Sequence, residues 1–200
     1  PTRGALAFLF TGQGAQVVGM GRELAAAWPA FRAAFEPCVA LLDRELERPL
    51  TEVMWAAPGS AAAGLIDRTM YTQPALFALQ VGLVALWRSW GIEPALLAGH
   101  SVGELSAAYA AGVFSLADAT RLVAARARLM QALPAGVMVA VTASEAEVRA
   151  VVEPFAAAAS IAAVNGPEQV VVAGTAEAVE AIAATLAARG RKTRALPVSH

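Results

Sequence analysis

The chain has 200 residues, with 15 basic and 16 acidic side chains and a formal net charge of −1. That length leaves room for one ordinary domain or a domain with a small insert, and the charge balance gives no reason to expect nucleic acid or an anionic membrane as partner. With 16% charged and 58% hydrophobic residues the chain is too apolar for disorder, and its alanine-rich, aromatic-poor make-up favours closely packed helices.

The chain opens on Pro1-Thr2-Arg3, with no apolar signal segment and no initiator Met. A segment of a longer polypeptide is the expectation. The uninterrupted run ALAFLF (5–10) predicts a strand buried on both faces. TGQGAQ then forms a glycine-punctuated turn before a helical stretch that Pro29 and Pro37 are expected to break into short helices. The lone Cys38 can form no internal disulfide, which points to a reducing, cytoplasmic setting. Residues 56–64 read as a loop and 73–90 as a helix, with Pro74 in its first turn. The uncharged stretch 69–87 is interrupted by Tyr71, Thr72, Gln73, Pro74 and Gln80, so no membrane span is expected. GIEPALLAGHSVGELSAAYAAGV predicts turn, strand, tight turn and helix, and a further helix covers about 116–131. Alternating helices and apolar strands indicate an α/β layered fold.

A second regime starts near Pro134. VMVAVTA predicts a strand, SEAEVRAVVEPF a helix capped by Ser144, ASIAAVNG and EQVVVAG two strands, TAEAVEAIAATLAARG a helix ending on Gly190, and KTRALPV a last strand. The order β-α-β-β-α-β is that of the ferredoxin-like split βαβ unit. Without a low-complexity linker, this unit is expected to be an insert packed on the first.

Gly99-His100-Ser101-Val102-Gly103 matches G-x-S-x-G between a predicted strand and a predicted helix. The glycines permit a turn sharp enough to expose the Ser101 hydroxyl, and the helix N-terminus offers backbone N–H groups to a developing oxyanion. A serine nucleophile needs a base, and the sequence holds two histidines. His100 sits beside the serine on the turn, so its ring should diverge from the hydroxyl. His200 is the last residue: base, pocket residue or loop residue.

FLFTGQGAQVVGMG, YTQPALFALQ, GHSVGELSAAYAAGVFSLADA, RARLMQ and AAVNGPEQVVVAG occur in that order across nearly the whole chain. Together they resemble the acyltransferase domains of modular polyketide synthases and the malonyl-CoA:acyl carrier protein transacylases. The resemblance implies a ping-pong transfer in which Ser101 takes an acyl group from an acyl-CoA and passes it to the phosphopantetheine thiol of an acyl carrier protein, with no permanently bound cofactor and no metal. Its oxyanion hole maps to the backbone amides of Gln13 and Val102, where the Gln13 side chain need not matter. Arg126 maps to the arginine that binds the free carboxylate of the substrate; Arg121 and Arg128 are expected to face solvent. Val102, the block containing Gln73, and His200 bear on acyl-group choice and favour malonyl over methylmalonyl. Pro197-Val198-Ser199-His200 resembles the start of the family segment V-S-H-A-F-H-S. There the first histidine marks malonyl preference and the last is the base, so His200 is read as the specificity position, with His200 itself as base the alternative.

The fold implied is an α/β-hydrolase-like large subdomain at 1–132, an inserted ferredoxin-like small subdomain at 133–197, and the start of a return to the large subdomain at 198–200. On that reading the base lies just beyond His200, and these 200 residues alone are expected to transfer acyl groups poorly. Expected partners are the acyl-CoA, the carrier protein and neighbouring synthase domains. A serine hydrolase or thioesterase using the same turn, or a catalytically incompetent fragment, are the competing readings. Arg189, Arg191, Lys192 and Arg194 form a basic cluster expected to be a solvated face, with an acidic carrier protein or coenzyme A phosphates as the alternative. The four Trp are expected to be core or packing residues. No zinc-like Cys/His spacing, Walker loop or dinucleotide fingerprint occurs.

Overall fold

A computed structural model describes residues 4–134 and 136–196. The chain divides into two compact units, 1–132 and 133–200.

The first unit holds strands β1 (Ala7–Phe10) and β2 (Leu96–Gly99) and helices α1 (Arg22–Ala27), α2 (Pro29–Leu42), α3 (Leu50–Met54), α4 (Thr69–Ser89), α5 (Val102–Ala110) and α6 (Leu116–Gln131). A 3-10 turn, Ala63–Asp67, precedes α4. Pro29 stands at the first position of α2, where a missing N–H removes no helical bond. Pro37, expected to break the helix, lies inside it instead. It occupies the exposed face, so the carbonyl it leaves without a donor can turn to water, while Phe35 and Cys38 on the other face are fully buried. The helix predicted from residue 73 begins at Thr69, and Pro74 falls within its second turn.

Helix α4 is the spine of this unit. It is long and apolar enough to cross a membrane, but 78% of its apolar window is buried within the protein. Phe77, Leu76, Ala75 and Ala78 join Phe31, Phe35 and Leu42 of α2, Met54 of α3, Val102 of α5 and Val123 of α6 in one core. Cys38 sits in that core, where burial pushes its thiol pKa well up, away from reactive thiolate. Of the tryptophans, Trp55 stacks on Phe35 at 5.7 Å. Trp28, Trp87 and Trp90 are not core: they pack edge to face with one another and remain partly exposed.

β1 and β2 pair in parallel, Phe10 opposite Gly99. Among the described residues β1 is covered on one of the two faces expected to be buried. Phe10 joins Val84, Ala107 and Ala110 on the helix-covered face, with Phe8 and Leu97 packed against them. Leu9 points the other way and is 78% exposed, as no helix covers that face among the described residues.

The second unit runs β3 (Val137–Thr142), α7 (Glu145–Val152), a 3-10 turn (Glu153–Phe155), β4 (Ala159–Gly166), β5 (Gln169–Gly174), α8 (Ala176–Ala188) and β6 (Lys192–Leu196). Its antiparallel sheet has the order β4-β5-β3-β6. Val139, Val141, Val170 and Val172 from the sheet meet Val148 and Val152 of α7 and Ile182 and Leu186 of α8. The predicted cap is present, Ser144 Oγ accepting from the Glu147 N–H, and Thr175 Oγ1 accepts from the Ala178 N–H in the same way, both at 3.4 Å. In the basic cluster, Arg191 donates to Glu147 at 3.0 Å and is therefore an ion-pair partner.

Candidate active site

The tip of β2 sets the geometry. The His100 N–H donates to the Phe10 carbonyl at 3.0 Å, continuing the parallel ladder for one more residue. The chain then reverses at Ser101, whose φ of 56° and ψ of −121° make it the one non-glycine residue with positive φ among the described residues. Such a conformation costs of order 1–3 kcal/mol and persists only where its surroundings over-determine it. Here they do. The Gly103 N–H donates to the His100 carbonyl at 2.9 Å and the Glu104 N–H to the Ser101 carbonyl at 3.0 Å, which starts α5 directly behind the serine.

Both flanking glycines are required by close approach rather than by φ. A Cβ on Gly99 would lie 2.1 Å from the Gly103 carbonyl, and one on Gly103 would lie 2.3 Å from the Phe10 carbonyl. Backbone cannot yield as a flexible side chain can. Gly103→Ala is therefore expected to push α5 off β1, costing about 3 kcal/mol, and to lower the melting temperature by roughly 6–12 °C. Thermal unfolding followed by circular dichroism checks this; a midpoint within about 2 °C of wild type would show that the turn is not so tightly held.

Ser101 is exposed at this tip, and Arg126 reaches it from α6. The helix is started by Ser115, whose Oγ accepts from the Asp118 N–H at 3.1 Å. Ala124 and Ala127 bury its inner face and carry Arg126 inward as well. One guanidinium nitrogen (Nη2) donates to Ser101 Oγ at 3.0 Å, and the other (Nη1) to Gln73 Oε1 at 2.5 Å. Arg126 is half-buried, and that desolvation holds its pKa below the ordinary arginine value. Among the described residues no carboxylate pairs with it. The competing arginines are occupied: Arg121 pairs with Asp118 at 2.6 Å and Arg128 with Glu45 at 3.5 Å.

Gln73, on α4, is 0% exposed. Its Nε2 donates to Gln13 Oε1 at 3.0 Å and toward Met130 Sδ at 3.2 Å. Gln13 in turn donates from Nε2 to Thr69 Oγ1 at 3.2 Å. The Gln13 side chain, expected to be dispensable, is thus bonded at both of its polar atoms. Val102 is the first residue of α5 and fully buried, and the first N–H groups of a helix have no intrahelical acceptor. His100 is exposed with its ring edge beside Gly12, and no hydrogen bond joins it to Ser101 among the described residues. His200, with 197–199, lies outside the described residues.

Ser101, Arg126, Gln73 and Gln13 therefore meet in one connected site. Sequence reasoning missed Thr69 and Met130. Thr69 lies four residues before Gln73, so a helix begun at 69 rather than 73 would have placed both on one face. Met130 lies four residues after Arg126 on α6 and was hidden by its apolar character.

The family model for the acyl transferase domain matches residues 7–199. The chain belongs to the acyl transferase domain family. Among curated relatives, polyketide synthase GfsA of Streptomyces halstedii is 55% identical over 199 residues, which is 98% of this chain and 3% of that protein. The solved acyltransferase domain from the second module of the salinomycin polyketide synthase superposes with a TM-score of 0.91 at 55% identity, covering 100% of this chain and 46% of that one. An acyl carrier protein S-malonyltransferase from Vibrio cholerae gives a TM-score of 0.83 at 34% identity, covering 98% of this chain and 64% of that one. The chain thus spans a small part of a polyketide synthase and about half of a solved acyltransferase domain. The chain shares its mixed α/β fold with those solved structures.

Proposed function

We propose that this acyltransferase chain moves a malonyl-type unit from coenzyme A to an acyl carrier protein through an acyl-enzyme on Ser101. The observation that carries the reading is Arg126: a half-buried guanidinium with no acidic partner among the described residues, hydrogen-bonded to the candidate nucleophile at 3.0 Å. A desolvated cation is favourable only when an anion or several acceptors meet it. A planar guanidinium clamps a carboxylate with two parallel hydrogen bonds, which is the group a malonyl unit carries at its free end.

In this mechanism Ser101 Oγ attacks the thioester carbonyl carbon, and its proton goes to a histidine base. The oxyanion is met by the backbone N–H groups of Gln13 and Val102, donors each worth roughly 3 kcal/mol where single ones have been removed from other enzymes. The carbon–sulfur bond breaks, coenzyme A leaves as the thiol, and the phosphopantetheine thiol of the carrier protein reverses the sequence to take the acyl group. Arg126 fixes the far carboxylate throughout, which orients the thioester over Ser101. Val102, Gln73 and His200 are the positions proposed to shape acyl-group choice. One methyl group is worth only about 1–3 kcal/mol in a pocket, so rejection of methylmalonyl is expected to be incomplete. Residues 1–132 act as the α/β-hydrolase-like large subdomain and 133–196 as a ferredoxin-like unit, the return expected at 198–200 lying outside the described residues, with neighbouring synthase domains as partners.

Chasing the malonyl-loaded protein with a pantetheine thiol tests the reading. Faster discharge to the thiol than to water is the expected result. Preferential discharge to water would make it a hydrolase.

A further inference from the structure

The hydrogen bonds around Gln73 have a fixed polarity. Arginine can only donate, so Gln73 must present Oε1 to Arg126, at 2.5 Å, and is left with Nε2 to donate to Gln13 Oε1 at 3.0 Å. That in turn leaves Gln13 Nε2 to donate to Thr69 Oγ1 at 3.2 Å. Flipping the Gln73 amide would set its NH2 against the guanidinium and its oxygen against the Gln13 oxygen. With Gln73 fully buried, water cannot take over either bond. Helix α4 also sends Gln80, seven residues on, to the Thr11 carbonyl at 2.9 Å. One helix thus grips the loop Thr11–Gln13 at both ends, and only at Gln73 does that grip pass on to Arg126.

We infer that Gln73 is a positioning residue that couples the arginine reading the substrate carboxylate to the loop supplying the Gln13 oxyanion amide. The inference rests on the malonyl-transfer reading and assigns Gln73 a role neither as nucleophile nor in direct contact with the acyl chain. Seating a carboxylate on Arg126 fixes the guanidinium, and through one amide fixes the loop over Ser101. Losing Gln73 loosens both.

The test uses the full protein carrying this chain, with malonyl-CoA and acetyl-CoA as donors and a pantetheine thiol as acceptor. Gln73→Glu keeps side-chain volume and an acceptor for Arg126, but neutralises the guanidinium and cannot donate to Gln13. Its ratio of malonyl to acetyl kcat/KM is expected to fall about tenfold or more, the malonyl loss appearing in KM. Gln13→Leu is expected to lower kcat with both donors and to lower that ratio as well, though less than Gln73→Glu, because a carboxylate on Arg126 can no longer order the loop through Gln73. Combining Gln73→Leu with Gln13→Leu is expected to cost less than the product of the single losses, as for residues in one network. If Gln73→Leu does not fold, the Gln73→Glu ratio decides. A wild-type preference for malonyl that persists in folded Gln73→Glu, or fully multiplicative losses in the double variant, overturns this inference alone. A wild-type protein with no malonyl preference overturns the malonyl-transfer reading and this inference with it.

Discussion

Ser101→Ala is expected to abolish acyl transfer, with a fall in kcat approaching about a million-fold, because a nucleophile and its activating groups work as a unit and removing one removes nearly all of their joint effect. The fold is expected to survive. Ser101 lies exposed at the start of α5, and its one side-chain hydrogen bond among the described residues is the bond accepted from Arg126. Alanine at φ 56° keeps the strain already present there, and the Gly103 and Glu104 N–H bonds that hold the turn are to backbone carbonyls. A melting temperature near the wild-type value alongside lost transfer is the expected pair of results, measured by thermal denaturation and by thiol release from malonyl-CoA. Transfer by Ser101→Ala at a rate near wild type would place the nucleophile elsewhere.

Arg126→Ala is expected to lower malonyl kcat/KM by at least about a hundredfold, since hydrogen bonds to a charged group contribute roughly 1.5–3 kcal/mol and a bidentate clamp makes two of them. Acetyl-CoA lacks the carboxylate, so its transfer is expected to fall much less, and the malonyl preference collapses. A structural cost accompanies the change. Gln73 Oε1 loses its donor in a fully buried position, which costs about 1–3 kcal/mol, and the melting temperature falls accordingly. Arg126→Lys separates the two effects. It keeps the charge but has no fork with which to reach Ser101 and Gln73 together, so it is expected to fall between wild type and alanine. Equal losses with malonyl and acetyl donors in Arg126→Ala would remove the carboxylate role.

Much of the site was legible in the sequence. The strand–turn–helix context of GHSVG predicted the sharp turn at Ser101, since two glycines are the chemical requirement for backbone packed as closely as Gly103 is to Phe10. Of three nearby arginines the family resemblance implies Arg126 for the carboxylate, and its side chain reaches Ser101 while Arg121 and Arg128 pair with surface acids. Every strand and helix of the second unit was readable from period and caps. What escaped notice depends on contacts between distant residues. Gln13, Thr69 and Gln73 are brought together only by the seating of α4 against the loop after β1, and no local pattern records that a buried glutamine will face an arginine 53 residues further on. Pro37 misled because a proline is judged by its local clash, whereas an exposed position lets the helix absorb it.

The most direct measurement is peptide mass spectrometry of the full protein carrying this chain, quenched soon after mixing with malonyl-CoA. A malonyl group on the peptide containing Ser101, lost on addition of a pantetheine thiol, is the predicted result. Release of coenzyme A with Ser101 unmodified at every quench time, or a malonyl group on another residue, would contradict it.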